Sequence, residues 1–220
     1  MLAQLAHVRN WIFDLDNTLY PVSANLFALI DARIGQYVAQ LLECDAQEAH
    51  RVQKGYFHAH GTTLSGLMAN HGTDPHHYLD YVHDIDMSLV ERNEALIEAL
   101  ARLPGRKLVF TNADAPYAIK VLDRLGLGDT FEAIHDVHAS AYRPKPDPHA
   151  YQGLCDAYGL DPTESLFVDD MARNLAPAKA IGMATVWIDN GSEQTADQDR
   201  SFIDYIAGDL GSWLHQILED

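Results

Sequence analysis

Cysteine is scarce, cations are outnumbered and long hydrophobic runs are missing. Only Cys44 and Cys155 occur, far apart in the chain. They permit one disulfide at most, which excludes a disulfide-stapled scaffold and fits two thiols in a reducing compartment. No apolar run approaches the ~20 residues of a membrane-spanning helix. The stretch Met1 to Asn10 has no apolar segment of the secretory-leader kind, and the first apolar run, Trp11-Ile12-Phe13, stops at an aspartate. The expectation is a cytoplasmic protein. Lysine and arginine number 15 against 32 aspartates and glutamates, a formal net charge of −17. That balance argues against nucleic-acid polymers and anionic membrane surfaces as partners. A small anionic substrate would need a local cation to hold it.

What is present is ordinary for a globular protein: 220 residues, 47% hydrophobic and 21% charged. This length suits one domain, or a core with a smaller insertion. Short apolar runs with little alternation read as strands buried on both faces. They are Val8 to Phe13, Lys107 to Phe110, Phe131 to Ile134, Leu166 to Val168 and Ala184 to Ile188. Helices fall between the later runs. One covers Ala115 to Leu125, with Ile119, Leu122 and Leu125 as apolar positions and Gly126 as its stop. Another opens at Asp147-Pro148 and closes at Gly159, and a third runs from Asn174 to Ile181. The tail from Phe202 adds a short strand and a helix near Trp213 to Leu218. The β-α-β-α order predicts an α/β fold, a Rossmann-like parallel sheet with helices on both faces.

Between the first two strands the pattern changes to helical periodicity. Ser23 is placed to cap a helix carrying Leu26, Ile30, Ile34, Tyr37, Val38 and Leu41, and Asp45 with Glu48 resembles a capping box. Asp74-Pro75 opens another helix, and Glu91 to Arg102 forms the last before the Pro104-Gly105 turn. Some 80 residues of helix exceed what one crossover needs. The predicted organisation is a core of residues 1–20 and 104–220 with an all-α insertion over 21–103.

In open parallel sheets ligands bind beyond the carboxyl ends of the strands. Three apolar runs end there in polar residues: Asp14-Leu15-Asp16-Asn17-Thr18, Thr111-Asn112 and Asp169-Asp170. On extended backbone Asp14 and Asp16 would share a face. Carboxylates about 4 Å apart repel by roughly 4 kcal/mol at an effective dielectric near 20, so such a cluster holds protons or a cation. Oxygen donors without a Cys or His pattern favour Mg²⁺. A carboxylate beside phosphorus can act as nucleophile and form an aspartyl-phosphate, and a second can protonate the leaving alcohol. Thr111 and Asn112 offer hydrogen bonds, and Lys145 in Arg143-Pro144-Lys145-Pro146 is a cation on a stiffened loop. Singly, each signal is an ordinary turn, cap or surface loop. All four together, in this order and at these places, are specific.

These residues resemble the four motifs of the haloacid-dehalogenase-like hydrolase superfamily: Asp14-Leu15-Asp16-Asn17-Thr18, Thr111-Asn112, Lys145, and Asp169-Asp170 with Asn174. The resemblance implies a Rossmann-like core with a helical cap inserted after the first motif. It implies Asp14 as nucleophile, Asp16 as general acid and base, and catalytic roles for Thr111 and Lys145. Thr18 and Asn112 are then substrate-binding candidates. Mg²⁺ would be held by Asp14, the backbone carbonyl of Asp16, and Asp169 with Asp170, the last either in the metal shell or paired with Lys145. Dehalogenating members lack a carboxylate at the Asp16 position, so its presence favours phosphate ester hydrolysis of a small phosphorylated metabolite.

A narrower resemblance is to the pyrimidine 5′-nucleotidase branch. It rests on Phe13 to Pro21, Gly61 to Leu67, Val82-His83-Asp84, Val109 to Ala113 and Phe167 to Leu175, with Met171 where serine is common. It implies pyrimidine nucleoside 5′-monophosphates as substrates. Sugar phosphates, phosphotransfer or mutase chemistry, and a non-catalytic binding module are the alternatives. His58, His60, His71, His76, His77 and His83 follow no recognisable zinc spacing. Tyr20 and Tyr56 are read as core or as stacking positions for a base, and Arg143 as a phosphate contact or a solvated loop residue. No catalytic pattern follows Gln194.

Overall fold

The computed structural model describes residues 3–191 and 200–219, so the segment just after Gln194 lies partly outside the described residues. Six strands form one parallel sheet in these residues: β1 (Asn10–Phe13), β2 (Arg106–Phe110), β3 (Ala133–His135), β4 (Ser165–Asp169), β5 (Ala184–Ile188) and β6 (Tyr205–Ala207). Their spatial order is β3-β2-β1-β4-β5-β6, the doubly wound order of dinucleotide-binding folds. All five strand pairings are parallel.

Alternation along the strands explains the two layers, because successive side chains leave opposite faces. Trp11 and Phe13 of β1 enter one apolar cluster with Val109, Val168 and Val186. Ile12 enters the other with Leu108, Phe110 and Phe167. The first face is covered by α5 (Glu94–Arg102), α6 (Ala115–Leu125) and α9 (Leu210–Glu219), the second by α7 (Pro148–Tyr158) and α8 (Ala172–Ala180). Asp147 caps α7 by accepting from His149 N at 2.9 Å, and Gly159 closes it at φ 61°, where a side chain would be strained.

Four further helices build the insertion: α1 (Leu26–Leu42), α2 (Ala46–His60), α3 (Thr63–His71) and α4 (Pro75–Val82). They share a third cluster, with Tyr37, Val38, Leu64, Leu67, Tyr78 and Leu79 buried. Asp45 caps α2 through Glu48 N at 2.9 Å.

Several boundaries differ from those read in the sequence. Ser23 does not cap α1. Pro21 leads into a 3-10 turn over Val22–Ala24, and Asn25 sits at the start of α1 in the left-handed region that asparagine tolerates. The last insertion helix starts at Glu94 instead of Glu91, since Asn93 Oδ1 accepts from Leu96 N at 3.1 Å. By packing, that helix belongs to the core: its Leu96, Ala99 and Leu100 join the cluster of Trp11 and Phe13. The reason is topological. A parallel β2 must start at the edge opposite the one where β1 ends, and α5 is the crossover that carries the chain back. Two expected apolar positions, Leu41 and Ile119, are exposed instead. Among the described residues no helix is long and apolar enough to cross a membrane.

Candidate active site

The strand order reverses between β1 and β4, and there the two strands run side by side, Phe13 opposite Val168. Asp14 N donates to Val168 O at 2.9 Å, so the residue after β1 is locked to the end of β4. The carboxyl ends of these strands therefore deliver Asp14 and Asp169 to one place. Lys145 arrives from the loop before α7. Its ammonium donates to Asp14 Oδ1 at 2.7 Å, Asp169 Oδ2 at 2.7 Å and Phe110 O at 2.9 Å, one acceptor for each of its three hydrogens. The side chain is 1% exposed. Such a charge is held in the interior only because its partners are charged and well aligned.

The loop that presents Lys145 is fixed by Asn112. The Asn112 amide donates to Lys145 O at 3.1 Å, and its carbonyl oxygen accepts from Lys145 N at 2.8 Å. This reciprocal pair orients the lysine, so the structure places Asn112 on the protein backbone. Thr18 likewise is turned inward: it is buried, and its hydroxyl donates to Asp14 Oδ2 at 3.2 Å. Thr111 is buried, and its Oγ1 accepts from Ala113 N at 3.0 Å, which leaves its own hydrogen to give elsewhere. Asp169 accepts from Met171 N at 2.8 Å and from the Asn174 amide at 3.0 and 3.1 Å. Arg143 is an exposed loop residue.

Asp14, Asp169 and Asp170 offer buried carboxylate oxygens within 4.8 Å of one another. Burial pushes the Asp14 pKa well up, helped by the charges of Asp169, Asp170 and Asp16 and opposed by Lys145. Burial works against the Lys145 ammonium, yet Asp14 and Asp169 overcome it and raise its pKa. One ammonium thus faces three carboxylates. The donor set is hard oxygen with excess negative charge, which fits Mg²⁺ and gives it no competing nitrogen or sulfur.

Asp16 lies past the end of the strand, so the extended backbone assumed for Asp14 and Asp16 does not reach it. The strand ends at Phe13, and by Asn17 the chain has turned into the left-handed region. The Asp16 carboxylate instead accepts from Tyr20 at 2.6 Å and from Tyr117 at 2.8 Å, both at Oδ1. Burial, then the neighbouring Asp16 charge, raises the pKa of both phenols, so they stay protonated donors. Tyr20 is 2% exposed and cannot stack on a ligand. Tyr56 packs its ring beside His60 and His71 and contacts His71 Nε2 at 2.7 Å.

Tyr117 and its support were missed in the sequence. The ring stacks on His83 with centroids 4.2 Å apart, and His83 Nδ1 lies 2.8 Å from Asp114 Oδ1, the cap of α6. A cavity of about 730 Å³ opens beside them, lined by Leu79, His83, Asp114, Tyr117, Lys120 and Arg124 among others, but not by Asp14, Lys145 or Asp169. Tyr117 is common to both places: it lines the cavity, and its hydroxyl reaches Asp16. Tyr20, four residues after Asp16, was within local reach, whereas Tyr117 is 101 residues away and no spacing announces it.

Comparison with known proteins agrees with this geometry. Phosphate metabolism protein 8 of Saccharomyces cerevisiae is 30% identical over 80% of this chain, which spans 60% of the yeast protein's length. N-acetylmuramic acid 6-phosphate phosphatase of Pseudomonas aeruginosa is 24% identical over 89% of this chain and 93% of its own. The crystal structure of a HAD phosphatase from Thermococcus onnurineus shares the fold, with a TM-score of 0.64 at 18% identity, covering 96% of this chain and 98% of that one. Residues 8–182 match the haloacid dehalogenase-like hydrolase family, and the chain belongs to it.

Proposed function

We propose that this chain is a Mg²⁺-dependent phosphomonoesterase of small phosphorylated metabolites, with pyrimidine nucleoside 5′-monophosphates as its substrates. The observation that carries the reading is the division of labour between two carboxylates. Asp14 is paired with Lys145 beside Asp169, while Asp16 accepts from two hydroxyls. Environments that differ this way suit one carboxylate to attack and the other to proton transfer.

In the first step an oxygen of Asp14 bonds to phosphorus as the bond to the leaving oxygen breaks, and Asp16 gives that oxygen its proton. In the second, a water oxygen bonds to phosphorus as the Asp14 oxygen–phosphorus bond breaks, Asp16 takes the water's proton, and inorganic phosphate departs from the restored carboxylate. Lys145 favours the ionised form of Asp14 against its burial and aims the carboxylate, and the spare Thr111 hydrogen is available to a phosphoryl oxygen. A Mg²⁺ ion held by Asp14, Asp169, Asp170 and the backbone carbonyl of Asp16 would supply charge neutralisation for the phosphoryl oxygens. The free thiols Cys44 and Cys155 suit work in the reducing cytoplasm.

The nucleotide assignment rests on the sequence resemblance of the first motif and of Gly61 to Leu67. One observation favours a second substrate class: the P. aeruginosa relative is named for a sugar 6-phosphate. Purified protein with Mg²⁺, tested against nucleoside monophosphates and sugar phosphates, separates the two. Phosphate should be released in water without an added acceptor. A requirement for an acceptor alcohol would make the chain a phosphotransferase instead, and an Asp14→Asn variant with wild-type activity would end the reading.

A further inference from the structure

We propose that Tyr117 is a positioning residue that aims the Asp16 carboxyl for proton delivery, with Tyr20 as its second support. This rests on the phosphomonoesterase reading above. Both phenols donate to the same oxygen, Oδ1. Both hydroxyls being spent on Oδ1, Oδ2 is the oxygen assigned to carry the proton. The arrangement works in either protonation state, since Oδ1 accepts as a carbonyl oxygen or as a carboxylate oxygen. It also fixes rotation of the carboxyl group, and proton transfer is sensitive to such orientation.

Tyr117 is itself held on several sides. Its N–H donates to Asp114 Oδ1 at 3.3 Å, and its ring lies parallel to His83, 16° between planes. His83 follows α4 directly and sits 2.8 Å from that same Asp114 oxygen. The hydroxyls of Tyr20 and Tyr117 are 3.5 Å apart, so they form one buried patch over Asp16. The transfer at stake is the first chemical step: the Asp14–phosphorus bond forms, the phosphorus–oxygen ester bond breaks, and the Oδ2 proton moves to the departing oxygen.

Leaving-group dependence reads this directly. Nitrophenolate departs without a proton, whereas the 5′-oxygen of a nucleotide must be protonated. For Tyr117→Phe, which keeps the stacked ring, kcat/KM for uridine 5′-monophosphate or glycerol 2-phosphate should fall about tenfold further than for p-nitrophenyl phosphate. Tyr20→Phe should show the same split, and Asp16→Asn a larger one. Equal losses on both ester types, or no loss, in both tyrosine variants would overturn the proposal while leaving the phosphatase reading intact. A wild-type protein that cleaves none of these esters would overturn both. Thermal melts of each variant check that the fold survives, because a general loosening slows every ester alike.

Discussion

At the carboxyl ends of β1 and β4, charged groups separated by up to 131 residues in sequence meet within hydrogen-bond distance, and each is answered by another. The helical insertion is built the other way. Its polar contacts run mostly between its own helices: Tyr37 with His77, Tyr56 with His71, Gln53 with Asp31, Arg33 with the Tyr81 carbonyl. It touches the core at a few points, among them Arg173 over the Phe57 ring at 4.2 Å, His76 stacked on His138 at 4.6 Å, and Ser65 with the Tyr142 carbonyl at 3.5 Å. The sheet edge is bound by buried charge, which gives geometry. Among the described residues the insertion is joined to it without buried charge pairs of that kind: by rings such as Phe57 under Arg173 and His83 on Tyr117, and by the apolar side chains of Leu26 and Ile30.

The largest effect should come from breaking the buried charge at the sheet edge. Lys145→Met leaves Asp14 and Asp169 facing each other without their ammonium, and about 3–5 kcal/mol of stability should be lost, visible in urea melts. Turnover should stop as well. Added Mg²⁺ should raise the melting temperature of this variant more than that of the wild type, because the cation replaces the missing charge. If the melting temperature is unchanged by the substitution, the sheet edge is not held by charge and the contrast with the insertion collapses.

Phe57→Ala should sit in the middle. It removes a ring under the Arg173 guanidinium but nothing from the sheet edge. KM should rise several-fold with kcat nearly kept, measured by steady-state kinetics on the best ester. A fall in kcat with KM unchanged would show that the insertion takes part in the chemistry.

The smallest effect concerns His135, which ends β3 with both ring nitrogens buried and without a hydrogen-bond partner. Burial holds its pKa below the ordinary histidine value, against a weaker pull from Asp136. Between the folded pKa and the unfolded value near 6.5, the unfolded chain binds more protons, so stability is lost as pH falls through that window. His135→Phe, packed against Phe110 and Tyr158, should add about 1 kcal/mol at neutral pH and flatten the decline in melting temperature between pH 7 and 5. An unchanged pH profile would place the acid sensitivity elsewhere.

Asp14, Lys145 and Asp169 were legible because each stands where a buried strand or a proline-braced loop must end, and sheet topology brings such ends together. The roles of Asn112 and Thr18 were harder to see. Short polar side chains at strand ends look alike in sequence, and no spacing announces the bonds they make here to the backbone of Lys145 and the carboxylate of Asp14. Tyr117 was invisible for a different reason. Periodicity marks an aromatic on α6 as core, and burial does make it core, while its hydroxyl alone reaches Asp16. The packing of α5 was misassigned because its apolar stripe fits either neighbour, and only the need to return to the opposite edge decides.

The return of the chain through α5 has a practical consequence. Departure after β1 and arrival at β2 occur on adjacent strands, so the piece between them can change length without forcing any strand to shift register. Because Leu26, Ile30 and the apolar side of α5 are shared with the sheet, the freely exchangeable part is narrower than the whole helical segment. A transplant joined beyond Ile30 and before Val82 keeps those ends rooted and leaves His83 against Tyr117, so one scaffold could accept foreign helices between them.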